Sequence, residues 1–90
     1  GVSGAQVQID IARASLQAVL DTDARGAALY GLGGLEALEG KADRALENLQ
    51  EAIPLEDQAI NWARHDVAWL DLRTNSRFQS LISEASQETE

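Results

Sequence analysis

Between Leu29 and Ala52 the chain sets bulky and minimal residues at helical intervals: Leu29, Leu32, Gly33, Gly40, Ala45, Leu49 and Ala52. Residues three and four apart share one face of a helix. Gly26, Gly31, Gly33 and Gly34 crowd the first part of this stretch, and each glycine weakens a helix by roughly 1 kcal/mol relative to alanine. Such a segment is worth having as a helix only if a neighbour needs its residues small. The pattern predicts two helices, Ala27–Glu39 and Ala42–Ile53, that turn at Gly40. Gly33 lets the second helix approach, and Ala45 and Ala52 sit where anything larger would push the pair apart.

The rest of the composition agrees with an all-α domain. The 44% apolar content is drawn from Ala, Leu, Ile and Val, with Tyr30, Trp62, Trp69 and Phe78 as the four aromatics; Ala and Leu are strong helix formers, and β-branched residues are few. Ninety residues suffice for one small domain with a modest core and a thin stability margin. Fifteen acidic against seven basic side chains give a net charge of −8, spread along the chain apart from Glu84, Glu88 and Glu90 at its end. That charge repels phosphate backbones and anionic lipid, which argues against nucleic acid and membrane surfaces and favours basic or neutral partners, besides keeping a small domain soluble. No cysteine is present, so disulfides, thiolate chemistry and most zinc sites are excluded and the compartment stays open. No apolar run reaches the length of a membrane span, and Gly1-Val2-Ser3-Gly4 has none of the marks of a signal peptide. The start reads as that of a fragment of a larger protein.

Residues 5–20 carry two apolar stripes of helical period: Val7, Ile11, Ala14 and Ala18, and Ile9, Ala12, Leu16, Val19 and Leu20. Two stripes call for two neighbours. Asp21-Thr22-Asp23 supplies stop and N-cap chemistry before the second helix. Pro54 ends the third helix or opens the next. A fourth is expected from Leu55 to about His65, with Ala59, Ile60, Trp62, Ala63, Val67, Trp69 and Leu70 on one broad half and Asn61, Arg64, His65, Ala68 and Asp71 on the other. Asp66 falls within the apolar half, where a buried charge is unfavourable, so a break is expected there, with Asp66 capping a short helix through about Leu72. Thr74-Asn75-Ser76 is a turn and cap cluster. Phe78, Leu81, Ile82 and Ala85 mark a last helix, followed by a polar, frayed tail.

A period of 34 residues with the pattern Trp-x2-Leu-Gly-x2-Tyr, then Ala-x3-Phe, then Pro marks the tetratricopeptide repeat. Leu29-x2-Leu32-Gly33-x2-Glu36, Ala45-x3-Leu49 and Ala52 resemble it. Leu29 and Glu36 stand in place of the two aromatics, and Asp57 in place of the terminal proline, with Pro54 three residues early. The resemblance implies one full repeat at about 26–59, with the end of a preceding repeat in residues 1–22. Closing helices would span 60–86, where Asp66-x3-Leu70-x-Leu72-Arg73-x4-Phe78-x2-Leu81 is similar to the segment after the last repeat of many bacterial members, and a tail 87–90. It implies antiparallel hairpins forming part of a right-handed superhelix.

In that family the first helix of each hairpin lines a concave groove. Carried onto this chain, the groove stripe is Ala27, Tyr30, Gly34 and Ala37, and one period later Asn61, Arg64, Ala68 and Asp71. The second set coincides with the polar half read from periodicity alone. A clamp for peptide carboxylates built of Lys, Arg and Asn is not expected, since only Asn61 and Arg64 could serve; Tyr30 beside Gly34 implies a shallow apolar or stacking surface.

Other constellations carry less. His65-Asp66 pairs an imidazole with a carboxylate, but adjacent helical residues point about 100° apart, and no nucleophile motif accompanies them. One histidine makes no metal site. Gly31-Leu32-Gly33-Gly34 lacks the preceding strand and following Lys-Ser/Thr of a phosphate loop. Trp62 and Trp69, at helical spacing, read as core. With no catalytic set, cofactor motif or metal cluster, the expected function is protein–protein interaction, a peptide or domain bound in the groove. The alternative is a structural cap of a longer solenoid, or an accessory region docked on an enzyme, with no ligand of its own.

Overall fold

In a computed structural model, which describes the backbone of residues 4–88 and the side chains of residues 4–83, the chain is all-α. Helices α1 (Gly4–Gln17), α2 (Arg25–Leu38), α3 (Ala42–Ala52) and α4 (Ala59–His65) precede a 3-10 segment, Val67–Leu72, and α5 (Ser76–Glu88). No strand occurs among the described residues.

The α2–α3 hairpin is the centre of the fold. Gly40 turns it with φ +81°, a left-handed conformation that suits glycine. The amide of Gly40 donates to the Ala37 carbonyl at 3.1 Å and that of Lys41 to the Glu36 carbonyl at 2.9 Å, the paired bonds of a Schellman C-cap. So short a connection between two extensively packed helices makes them antiparallel. A Cβ on Gly33 would stand 3.0 Å from the Ala45 carbonyl oxygen, 3.0 Å from the Trp69 ring and 3.2 Å from the Asn48 Cβ. Ala45, Leu49 and Ala52 are wholly buried against this face. The core continues through Leu29 and Leu46 to Ala59, Ala63, Trp69, Leu72, Phe78 and Ile82.

The cap signals act as their chemistry requires. Asp66 ends α4 in an extended conformation, and its Oδ1 accepts the Ala68 amide at 3.0 Å, starting the 3-10 segment. Asn75 Oδ1 accepts from the amides of Arg77 and Phe78 at 2.9 and 3.2 Å at the start of α5. Of the expected frayed tail 87–90, residues 87 and 88 belong to α5 and 89–90 lie outside the described residues, as do residues 1–3 and the side chains of Glu84, Ala85 and Glu88.

Four expectations need correcting. First, α1 stops at Gln17, not Leu20, and turns occupy 18–24. The Thr22 hydroxyl donates to the Val19 carbonyl at 2.6 Å and accepts the Ala24 amide at 3.1 Å, so it stitches the turn, while the N-cap of α2 is Ala24 without a side-chain bond. Second, α4 begins at Ala59 and not Leu55. Ala52 accepts the amides of both Leu55 and Glu56, and Glu56 Oε1 takes that of Gln58, which spends residues 53–58 on turns after Pro54. Third, Val67 and Leu70 are 77% and 57% exposed while Trp69 is buried, although a 3.6-residue period grouped all three. At three residues per turn, i and i+3 eclipse, so Trp69 and Leu72 share the inner column and Val67 and Leu70 the outer one.

The fourth correction concerns α1, which buries no residue fully. Ile9, Ala12, Leu16, Val19 and Leu20 are half-buried toward the body, whereas every member of the other stripe, Val7, Ile11, Ala14 and Ala18, is exposed. Only one stripe of α1 is covered among the described residues. Polar contacts supplement this seam. Gln6 Nε2 donates to Glu39 Oε2 at 2.9 Å, Arg13 bonds the other Glu39 oxygen, and Lys41 Nζ lies 3.6 Å away. The Gln6 hydrogen bond, helped by the charges of Arg13 and Lys41, holds the Glu39 carboxyl below the usual glutamate value against partial desolvation.

Two outcomes follow from this packing. Gly33→Ala is expected to destabilise by about 1–2 kcal/mol in urea melts, because overpacking against a backbone carbonyl and a buried indole exceeds the helix-propensity gain. Gly34→Ala, whose Cβ would meet only the Ala68 Cβ at 3.6 Å, should instead stabilise by up to about 1 kcal/mol. For Glu39, a depressed pKa means stabilisation that is present above the ordinary carboxylate value and lost as pH falls through the lower folded one. The NMR shifts of α1 should therefore move toward coil below about pH 4, and Glu39→Gln should abolish that acid response while loosening α1 at neutral pH.

Candidate functional site

Where α2 meets α4 and the 3-10 segment, four aromatic rings form a continuous cluster. Tyr30 lies 5.2 Å from Trp62 in an edge arrangement and 5.8 Å from Trp69, which stacks on Phe78 at 5.9 Å. Trp69 and Phe78 are core residues, whereas Trp62 keeps 36% of its surface exposed. The two tryptophans, read together as core, therefore divide between core and surface.

Asp66 ties this cluster together. The Tyr30 hydroxyl donates to Asp66 Oδ2 at 2.9 Å, while Oδ1 caps the 3-10 segment. Burial, reinforced by the carboxylate as hydrogen-bond acceptor and as charge, pushes the Tyr30 phenol well above its usual pKa; the Trp69 indole N–H, short of full hydrogen-bond geometry, pulls weakly the other way. Tyr30 is thus a protonated donor throughout the neutral range, and it fixes the carboxylate without consuming its remaining lone pairs.

Beside this carboxylate is an open cleft of about 330 Å³, lined by Asn61, Trp62, His65 and Asp66. The Asn61 backbone carbonyl lies 2.9 Å from His65 Nδ1, which must carry its hydrogen to make that bond. A second depression, of about 560 Å³, is lined by Gly40, Lys41, Ala42, Asp43 and Arg44 at the start of α3. It holds both charge signs and no aromatic.

No known family, curated protein or solved structure matches the chain. Its site is therefore read from geometry.

The stripe expected on α2 is largely a packing face. Tyr30 and Gly34 are buried, Ala68 sits over Gly34, and Ala27 and Ala37 are half-buried. The break at Asp66 folds the 3-10 segment onto α2, so these residues are not the floor of an open groove. Asn61, Arg64 and Asp71 are exposed, and of the three Asn61 lines the cleft. Trp62 was missed as a surface residue because its spacing matches the core, whereas Asp66, an acid inside an apolar run, was the available signal. His65 and Asp66 both line the cleft, yet the carboxylate bonds Tyr30 and the imidazole bonds a backbone oxygen, so no acid–base pair forms. Among the described residues there is no cluster of three or more His, Cys, Asp or Glu able to hold a metal, and no helix long and apolar enough to cross a membrane. Glu36 is buried with Oε2 lacking a hydrogen-bond partner among the described residues.

Tyr30→Phe should lower stability by about 1–2 kcal/mol near neutrality. A raised phenol pKa gives stabilisation that is complete below the unfolded tyrosine value and lost as pH rises toward the folded one. The parent protein should denature more readily above about pH 10, and the difference from Tyr30→Phe should shrink there.

Proposed function

We propose that the chain is a protein–protein interaction module of tetratricopeptide type, without catalytic activity or cofactor, that engages a peptide or domain through the outer side of α4. The cleft formed by Asn61, Trp62, His65 and Asp66 carries this reading. A partly exposed tryptophan beside an oriented carboxylate combines an apolar anchor with a polar handle, the composition common at interaction hot spots. The exposed Val67 and Leu70 extend the apolar surface along the following segment. The buried Ala45, whose carbonyl oxygen abuts Gly33, and the buried Ala52 support the repeat assignment for α2–α3, and the charge of −8 favours basic or neutral partners.

A second reading has its own observation. The uncovered face of Val7, Ile11, Ala14 and Ala18 suits stacking of a further hairpin, as in a structural cap of a longer helical array. Ile11→Asp should leave the 90-residue chain as stable as before but destabilise a longer chain in which such a hairpin packs on α1.

Panning a peptide library over the chain tests the interaction reading. Binders are expected to shift the NMR signals of Asn61, Trp62 and His65 and to lose about tenfold in affinity, or about 1.4 kcal/mol, with Trp62→Ala. Binders indifferent to Trp62, Asn61 and Arg64 substitutions would remove α4 from the interface, and the absence of any binder would leave the structural reading.

A further inference from the structure

Resting on the interaction reading, we propose that the Asn61–Trp62–His65–Asp66 cleft is a receptor for the guanidinium group of an arginine on the protein partner. The lining offers a cation several kinds of favourable contact and among the described residues includes no lysine or arginine; Arg73 Nη2 reaches the backbone carbonyl of Asp66 at 3.5 Å, not its carboxylate. The Trp62 indole presents a partly exposed ring whose quadrupole attracts positive charge. The Asp66 carboxylate is held by the Tyr30 hydroxyl at 2.9 Å and the Ala68 amide at 3.0 Å, which use one acceptor position on each oxygen and leave others for a ligand. Asn61 and His65 complete the lining, the imidazole oriented by its Nδ1 contact with the Asn61 backbone carbonyl at 2.9 Å.

Arginine fits this set better than lysine. A planar guanidinium stacks on an indole with its flat face while its N–H fork reaches a carboxylate, whereas an ammonium is a compact, strongly hydrated point charge. The cleft is open, so the ligand side chain can enter with its peptide remaining outside. The net charge of −8 raises the local concentration of basic segments around the whole chain.

The test is an NMR titration of the ¹⁵N-labelled protein with N-acetyl-Gly-Arg-Gly-amide and with the same peptide carrying citrulline or norleucine. The arginine peptide should give saturable shifts at the Trp62 indole N–H and at the amides of His65 and Asp66. The citrulline peptide, nearly isosteric but neutral, should bind about tenfold more weakly, and Trp62→Leu should weaken the arginine peptide about threefold. Asp66→Asn, which removes charge but keeps an oxygen for the Ala68 amide, should erase the preference for arginine over citrulline. If that variant fails to fold, the citrulline comparison on the unaltered protein still decides. Equal binding of the citrulline or norleucine peptide overturns the guanidinium assignment while leaving the interaction reading intact. Shifts confined to other surfaces, or none with the arginine peptide, also overturn it; the interaction reading falls only if library panning fails as well.

Discussion

The fold depends on how closely α3 and Trp69 approach α2 at Gly33. A side chain there would meet a backbone oxygen on one side and a buried indole on the other, and backbone cannot rotate out of the way. The hairpin partner and the 3-10 segment are therefore both located by the same missing methyl group. Close packing of this kind has crystal-like density, which explains why small residues at Ala45, Ala52, Ala59 and Ala63 recur on the facing surfaces and are wholly buried. The helix-propensity penalty of the glycines is offset by contacts that no larger residue would permit.

Once Trp69 is seated against α2, the placement of Asp66 follows. The three-residue period of the segment puts Trp69 and Leu72 inward, and the same geometry leaves Asp66 at the junction with α4, within reach of Tyr30. One carboxylate thus caps a helical segment, accepts a bond from α2 and lines the cleft beside Trp62. Packing and the candidate site are linked through it, so the orientation of a surface group is set by the core.

Signals that reside in single residues were legible in the sequence. Gly40 ends a helix because of its backbone freedom, and Asp66 and Asn75 cap because their side chains mimic a carbonyl; each needed no knowledge of the rest of the chain. The all-α class followed from composition and period. What tertiary packing decides was not legible. The change from 3.6 to 3 residues per turn after Asp66 turned Val67 and Leu70 outward, and the turns after Pro54 shortened α4 at its start. At the site, Asn61 was visible as an exposed polar residue, but Tyr30 was expected on a groove face and instead supports the cleft from below. Trp62 shows the limit most clearly, because helical spacing cannot distinguish a ring buried at its edge from one buried on all sides.

Helix α1 has a consequence for how the molecule comes apart. It buries no residue fully and is held by half-buried aliphatic side chains and the polar contacts at Glu39, while the other elements share one core. Its opening free energy is accordingly set by that seam and not by the global stability. Heating should release it ahead of the remaining helices, so unfolding would not be a single all-or-none event. A calorimetric enthalpy larger than the van't Hoff value would be the thermodynamic signature of a body with a loosely appended first helix.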